Sequence, residues 1–268
     1  MTDRMDALLQ DRSSGFGEPL NLTSTRDERR AFYESYITHK AWDGAASQHE
    51  DEAFALEMRR AGIMPPAAIL EIGFGEGRFL DWSRRQGFSV QGVELIEELV
   101  LRARTRGHRV MLGHLESVID PEVEQFDIIV AFDVFEHFTP TELVALLRFV
   151  RRLLKPHGRV LARFPNGASP FGAYYQASDV THAVALSPVT ISQIAMPAGM
   201  RVVSVQNAAR PLHCGRRHRL VRRAGYLARD AIEWVVGQIY FGRRVALDPM
   251  LTAVLARDPP QVAAGPGG

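Results

Sequence analysis

The chain has 268 residues, of which 46% are hydrophobic and 9% aromatic, and its formal net charge is +1. This length and composition fit one α/β domain with additions, and the near-neutral charge argues against a nucleic-acid partner. The single cysteine, Cys214, excludes an intrachain disulfide and favours a cytoplasmic location, and we expect neither a secretory signal nor a membrane-spanning segment.

Residues 1–60 precede the first regular alternation of elements and are expected to form an N-terminal helical lid. Helical spacing of apolar side chains is found over residues 27–39 and over Gln48–Arg60. The pair Pro65-Pro66 then forces an extended entry into the first strand, because a residue before proline avoids the helical conformation.

The central part of the chain alternates apolar strands with amphipathic helices, which predicts a parallel sheet with helices on both faces. Thr139 and Pro140 form a strong helix start. Ligands of such sheets bind at the carboxyl ends of the strands. The strands are predicted near residues 67–72, 89–94, 109–112, 126–132 and 158–164, the helices near 77–86, 96–106 and 141–154, and the polar residues at the strand ends are Glu71, Glu94, His114, Asp133 and Asn166.

A glycine-rich segment, E-x-G-x-G-x-G over residues 71–77, joins the first strand to the next helix. Glycines let backbone amides approach a ligand, because no Cβ blocks them. The acid at Glu71 indicates a ligand with positive charge, and Glu94 lies where a ribose diol is expected. A dinucleotide site has G-x-G-x-x-G spacing, but Arg78 stands at its third glycine position, so a nicotinamide-dependent dehydrogenase is disfavoured.

This segment, followed by Val93-Glu94, resembles the first two motifs of class I S-adenosylmethionine (SAM) methyltransferases. Residues 113–116, 126–138 and 153–166 match the later motifs in order. The resemblance implies a Rossmann-like α/β fold with a seven-stranded, mostly parallel sheet and a SAM-binding core at residues 61–206. It also implies SAM as cofactor and S-adenosyl-L-homocysteine as product.

The resemblance also assigns the cofactor contacts. Glu71 is expected to support the methionine amine, Glu94 to bind the ribose, Leu115 to offer its amide to the base, and Asp133 to lie at the methionine end. Alternatively, Glu71 is a solvated strand end, Glu94 caps a helix and Asp133 starts a turn. His114 stands where the family commonly has Asp, so the usual side-chain contact to the exocyclic amine is not carried over. The expected cofactor-binding residues are Glu71, Gly73, Gly75, Gly77, Glu94, Leu95, His114, Leu115, Phe132 and Asp133.

Two residues on the loop after the fifth strand are the catalytic candidates. A hydroxyl attacks better as its proton leaves, and histidine is a common base for that step. His182 is the expected base, and Asp179 is expected to orient its ring; alternatively both only cap a helix or fix the loop. His137 is placed among the expected substrate-binding residues; packing in the scaffold or the cofactor pocket is favoured for it over acid–base work. No second pair of His and Asp ligands has matching spacing, so no metal is expected.

The segment 163–182 resembles methyltransferases encoded among bacterial surface-polysaccharide and glycan-assembly enzymes. It shares their Pro-Asn exit from the fifth strand, aromatic loop and Asp-x-x-His element. This implies O-methylation of a sugar hydroxyl, with Asn166, Tyr174 and Tyr175 as substrate-binding residues. The alternatives are an O- or C-methyltransferase of an aromatic, quinone or secondary-metabolite acceptor, and a non-catalytic SAM-binding regulatory protein.

Residues 207–249 are expected to be a basic helical insertion inside a C-terminal hairpin whose last strand lies at residues 250–256. Residues 207–223 contain six arginines, two histidines and no acid. The insertion is a solvated helix face, a phosphate-attracting surface, or an interfacial membrane helix. The third alternative would place residues 207–240 in peripheral contact with the inner face of the membrane. The tail, within 250–268, is expected to be disordered.

Overall fold

The computed structural model describes residues 48–258 apart from residues 121, 123–125 and 214. The helix predicted over 27–39, most of the predicted lid and the last ten residues lie outside this part. Its helices are α1 (Gln48–Arg60), α2 (Arg78–Arg85), α3 (Glu97–Thr105), α4 (Leu115–Val118), α5 (Pro140–Leu153), α6 (Ala173–Ala177), α7 (Pro188–Ala195) and α8 (Arg216–Val236). Its strands are β1 (Ala68–Ile72), β2 (Ser89–Glu94), β3 (Arg109–Leu112), β4 (Phe126–Phe132), β5 (Leu154–Pro165), β6 (Met200–Asn207) and β7 (Met250–Arg257).

The seven strands form one sheet in the order β3-β2-β1-β4-β5-β7-β6. The first five strands pair in parallel, and β7 is antiparallel to both β5 and β6. The strand order reverses between β1 and β4, so the topological switch point lies at the carboxyl ends of these two strands. The predicted Rossmann-like fold with a C-terminal hairpin is confirmed.

Helices cover both faces of the sheet because the buried strands carry apolar side chains at successive positions. Leu70 and Ile129 pack with α5 and α7, whereas their neighbours Ile69 and Ile128 pack with α1 and α2. Thr139 caps α5 and forms a reciprocal capping box with Glu142, as its sequence predicts. The core therefore fixes the strand ends, and with them the loops at the switch point.

Four elements differ from the prediction. β5 begins at Leu154 rather than near residue 158, because Leu154 pairs with Phe126 across an irregularity in the ladder. The short helices α4 and α6 lie in segments predicted as loops. Helix α1, assigned from sequence to the lid, buries Phe54 and Met58 in the core, so this helix is part of the packed domain.

The C-terminal insertion is attached to the core by buried polar contacts. Glu57 of α1 accepts a hydrogen bond from the Ala209 amide, and Glu233 of α8 accepts one from the side-chain amide of Asn207 at the end of β6. Arg210 donates to Asp230 at 2.8 Å and also contacts Asp248. These contacts connect α8 to the end of β6 and the start of the insertion to α1. None of the helices in the described part of the chain is long and apolar enough to cross a bilayer.

Candidate functional site

The glycine loop after β1 borders open space at one of its three glycines. Gly73, Gly75 and Gly77 have φ angles of 65°, 54° and 74°, a region that favours glycine. A Cβ on Gly73 would lie 2.8 Å from Val134, and one on Gly77 would lie 2.7 Å from Arg106, but one on Gly75 would meet no atom within 4 Å. Gly75 is therefore the position at which a ligand can approach the backbone most closely.

Glu94, at the end of β2, holds this loop in place. Its Oε2 accepts a hydrogen bond from the Gly75 amide at 3.0 Å, and its Oε1 accepts from the Leu95 and Ile96 amides at 2.7 and 3.2 Å. Burial raises the pKa of Glu94, and these amides oppose the rise. A carboxylate with two lone pairs on each oxygen can also accept from a ribose diol, so the ribose contact stays a prediction.

Glu71 is a buried carboxylate in the middle of the sheet, between β2 and β4. It is 4% exposed, and its Oε2 has no hydrogen-bond partner among the described residues. Burial raises the pKa of Glu71 well above its usual range, the nearby Glu94 raises it further, and Arg163 opposes both. A buried acceptor without a donor is rare in proteins. The protonated amine of a methionine moiety would supply both the donor and the positive charge.

Replacement of Glu71 tests this interpretation without the cofactor. Because its folded-state pKa is raised, its contribution to stability is present below the usual carboxyl pKa and is lost as pH rises through the raised value. At neutral pH we therefore expect Glu71→Gln to raise the melting temperature of the cofactor-free protein. The rise should be about 2–4 °C for each kcal/mol of destabilisation that the substitution removes. The measurement is thermal unfolding across a pH series.

The exposed acid Glu97 provides the matched control, because Glu97→Gln removes a carboxylate that is not buried. The variant of Glu71 should also bind S-adenosyl-L-homocysteine more weakly. An unchanged melting temperature with the wild-type pH profile would contradict the account of Glu71.

The loops after β2 and β3 form the expected adenine side. Leu95 is 43% exposed, whereas Leu115 is buried at the start of α4. His114 is exposed, and the Gly113 amide donates to the Glu94 carbonyl at 3.0 Å. The structure thus brings His114 and Leu95 to the end of the sheet that carries Glu94, and their contacts with a base stay predictions.

The end of β4 carries an ion pair that the sequence analysis missed. Asp133 has a φ of 59°, and its carboxylate binds the Arg163 guanidinium, with an Nε–Oδ1 distance of 3.2 Å. The same guanidinium lies 4.9 Å from the centroid of the Phe132 ring, which stacks on Phe54. The negative charge of Asp133 is thus paired with the Arg163 guanidinium. Glu71 remains the carboxylate suited to the amine of a ligand. The available signal was Arg163 itself, a basic residue inside the otherwise apolar run of residues 160–164.

Two histidines meet beside the end of β4. The ring centroids of His137 and His182 are 4.8 Å apart, and Nε2 of His182 is 3.9 Å from Oε1 of Glu136. Glu136 is only 1% exposed. The amides of Ala183 and Val184 donate to the Glu136 carbonyl at 2.7 and 3.2 Å, which fixes the loop carrying His182 against the turn carrying Glu136. The sequence analysis did not select Glu136, although its position next to His137 could have indicated a role in the site.

Asp179 does not orient the His182 ring as expected. The Nδ1 atom of His182 is 3.1 Å from the carbonyl of Gln176. Asp179 instead accepts from the Thr181 hydroxyl at 2.5 Å, and that hydroxyl is 2.8 Å from Nδ1 of His137. Burial opposes ionisation of Asp179, but the hydrogen bonds from Thr181 and the nearby histidines outweigh it and lower its pKa. Asp179 therefore orients His137, through Thr181.

The predicted substrate-binding residues separate into two groups. Asn166 is fully buried, and its side-chain amide donates to the carbonyls of Ala246 and Asp248 at 3.0 and 3.1 Å. It holds the segment before β7, which corrects the expectation that it faces the acceptor. Tyr174 and Tyr175 of α6 are exposed, with their rings edge to face at 5.4 Å, and can line an acceptor entrance.

The fold and the residues at the switch point define a class I SAM-dependent methyltransferase domain. A family model described as methyltransferase domain matches residues 46–210, more than half of the chain. The chain belongs to this family, and SAM is its cofactor.

Curated relatives share part of this domain. The chain is 35% identical over 135 residues to a ubiquinone biosynthesis O-methyltransferase of Xanthomonas oryzae pv. oryzae strain PXO99A, covering 46% of this chain and 55% of the relative. The protein of the same name from Xanthomonas axonopodis pv. citri strain 306 is 31% identical over 137 residues, with the same shares of the two chains. The chain thus spans about half the length of these relatives.

Solved structures of low sequence identity share the fold. A SAM-dependent methyltransferase from Archaeoglobus fulgidus is 19% identical with a TM-score of 0.57, over 85% of this chain and 99% of that one. The 1,6-didemethyltoxoflavin-N1-methyltransferase of Burkholderia thailandensis, solved with its acceptor and S-adenosylhomocysteine, is 20% identical with a TM-score of 0.55, over 91% and 94% of the two chains. At this identity the likeness concerns the fold alone.

Proposed function

We propose that this domain transfers the methyl group of SAM to a hydroxyl oxygen of an aromatic acceptor of the phenol or quinol type. The observation that carries the proposal is the cluster of Glu136, His137 and His182 beside the end of β4. A hydroxyl is a weak nucleophile until its proton leaves, so an O-methyltransferase needs a group that takes up or displaces this proton.

The aromatic acceptor is favoured over a sugar by two observations. Asn166, the amide expected to bind sugar hydroxyls, is used inside the fold. The exposed side chains on the loop after β5 are instead mainly apolar or aromatic, namely Phe171, Tyr174, Tyr175 and Val180. The names of the curated relatives point in the same direction, because they describe O-methylation in ubiquinone biosynthesis.

The residues of this chain have separate tasks in the reaction. SAM, when bound, supplies a methyl carbon activated by its sulfonium. Glu71 accepts from the amine of the methionine moiety, and the loop at Gly75 and the carboxylate of Glu94 position the nucleoside. The cluster of Glu136, His137 and His182 promotes loss of the proton from the acceptor hydroxyl, whose oxygen forms the new bond to carbon. Binding both reactants in line contributes much of the rate enhancement.

A sugar hydroxyl is the second candidate acceptor, since the exposed pair Tyr174 and Tyr175 also suits the face of a pyranose. The test incubates the purified protein with methyl-labelled SAM and either a panel of phenols and quinols or fractionated bacterial glycans. Label in the phenols or quinols supports the proposal. Label only in glycans would move the function to the second candidate. Labelling of neither, with S-adenosyl-L-homocysteine bound, would support a regulatory SAM-binding protein.

We further propose that the insertion places the domain at the inner, anionic surface of a membrane. Helix α8 and the turn of residues 237–241 expose large apolar side chains beside arginines, a combination that suits lipid headgroups. The exposed apolar residues are Leu220, Val221, Leu227, Ile232, Trp234, Ile239, Tyr240 and Phe241, and the exposed arginines nearby include Arg219, Arg222 and Arg223.

We therefore expect the protein to sediment with phosphatidylglycerol-containing vesicles but much less with pure phosphatidylcholine vesicles. Trp234→Glu combined with Ile239→Glu should abolish this binding, and high salt should weaken it. Val189 is exposed on another helix, so Val189→Glu is the control. Concentration-dependent dimerisation that the same double substitution removes, without vesicle binding, would assign the surface to a second copy of the chain.

A further inference from the structure

The cluster beside β4 groups three side chains of the kinds that bind metal ions. Within the described residues, Glu136, His137 and His182 each offer one ligand atom, and these atoms lie within 4.8 Å of one another. Glu136 is 1% exposed, and the side chain of His182 is 8% exposed, so the set is not a group of surface acids. Two imidazoles and one carboxylate are a donor set that suits zinc and related divalent transition metals.

The hydrogen bonds around the two histidines fix their ring orientation. Nδ1 of His182 faces the carbonyl oxygen of Gln176, which can only accept, so Nδ1 carries the hydrogen. The Thr181 hydroxyl donates to Asp179, so it accepts from Nδ1 of His137. In neutral rings, this assignment leaves Nε2 as the lone-pair atom of both histidines. Metal-binding histidines usually donate their other ring nitrogen to a carbonyl or a carboxylate in this way.

We propose that Glu136, His137 and His182 bind one divalent transition-metal cation that activates the acceptor hydroxyl. With metal–ligand bonds near 2.0–2.1 Å, ligand atoms of a tetrahedral site lie about 3.4 Å apart, so small side-chain rotations close the cluster around the ion. Three protein ligands leave a position for the acceptor oxygen. This assigns His182 as a ligand, in place of the general base expected from the sequence.

The cation explains how the acceptor hydroxyl loses its proton as well as how this hydroxyl is oriented. Bound to the ion, the acceptor hydroxyl loses its proton to water at a lower pH than it does in solution. The oxygen then forms a bond to the methyl carbon while the carbon–sulfur bond breaks, and its electron pair remains on sulfur. The products are the methyl ether, S-adenosyl-L-homocysteine and one proton. This inference deepens the proposed function and rests on it for the acceptor.

The test measures Zn²⁺ binding to the chelator-treated, full-length protein by calorimetry. We expect one strong site per chain, weakened at least about 100-fold by His182→Ala and by the nearly isosteric Glu136→Gln. Thr181→Val, which removes the hydroxyl that orients His137, should weaken binding about 10–100-fold. His157 is exposed on β5, so His157→Ala controls for binding to surface histidines. With Co²⁺, visible absorption bands should appear and should shift when a phenolic acceptor is added.

The outcomes separate this inference from the proposed function. Equal Zn²⁺ affinity in wild type, His182→Ala and Glu136→Gln would overturn the metal site. Full methylation of a phenol by chelator-treated protein would also overturn it, while the proposed function would stand. Zn²⁺ binding that is lost in His182→Ala and in Glu136→Gln, with no methylation of any hydroxyl acceptor, would support the site and contradict the proposed function.

Discussion

Gly75→Val should abolish the binding of S-adenosyl-L-homocysteine, with an affinity loss of more than about 100-fold, or roughly 2.7 kcal/mol. A Cβ at this position meets no protein atom within 4 Å, so the valine side chain would occupy space that the fold leaves for the ligand. The φ of 54° adds backbone strain of about 1–3 kcal/mol. Calorimetric titration with S-adenosyl-L-homocysteine measures the loss.

Gly87 provides a matched control for that strain. It has a φ of 87°, a Cβ added to it would also meet no atom within 4 Å, and it lies in the turn between α2 and β2. Gly87→Val should therefore lower the melting temperature about as much as Gly75→Val does, while S-adenosyl-L-homocysteine binding is kept. If Gly75→Val bound the ligand as well as wild type does, the glycine loop would not be the cofactor site.

His182→Ala should lower the rate of methyl transfer by about 10²–10⁴-fold and leave the affinity for SAM nearly unchanged. The ring lies against Glu136 and His137, on the loop after β5, whereas most of the predicted cofactor contacts lie at the ends of β1, β2 and β3. The loss is expected in the chemical step, so single-turnover kinetics with saturating SAM is the measurement.

Two further variants show how specific this loss is. Asp179→Asn should produce a smaller loss, because Asp179 acts on His137 through Thr181. His157→Ala on the exposed surface should leave the rate unchanged. Wild-type turnover in His182→Ala would remove this residue from the reaction and leave only the packing role that its contact with Gln176 implies.

The cofactor side of the site could be predicted because its signals are local in the sequence. Gly73, Gly75 and Gly77 need positive φ, and Glu71 and Glu94 lie in the last two positions of their strands, so residue type and position together define the loop. The parallel strands were predicted for a similar reason, since runs of apolar residues are short and bounded by glycine or polar residues. The start of β5 could not be predicted, because Leu154 joins the strand by pairing with Phe126 of the neighbouring strand β4.

The acceptor side could not be predicted because it depends on contacts between distant segments. His137 and His182 are 45 positions apart, and only the folded loop brings their rings to 4.8 Å. Spacing along the chain therefore predicted no metal ligands, although Glu136 lies next to His137. In the same way, Asn166 looked available to a sugar, but its amide is used by Ala246 and Asp248, which come 80 and 82 positions later.

The central claim is that this domain methylates a hydroxyl oxygen, and it is tested most directly by locating the transferred carbon. The purified protein is incubated with SAM labelled with ¹³C in its methyl group and a phenolic acceptor that also carries an amine. The carbon spectrum of the product then identifies the atom that received the label. The account predicts a methyl ether at the phenolic oxygen. A label on nitrogen or on a ring carbon would contradict it.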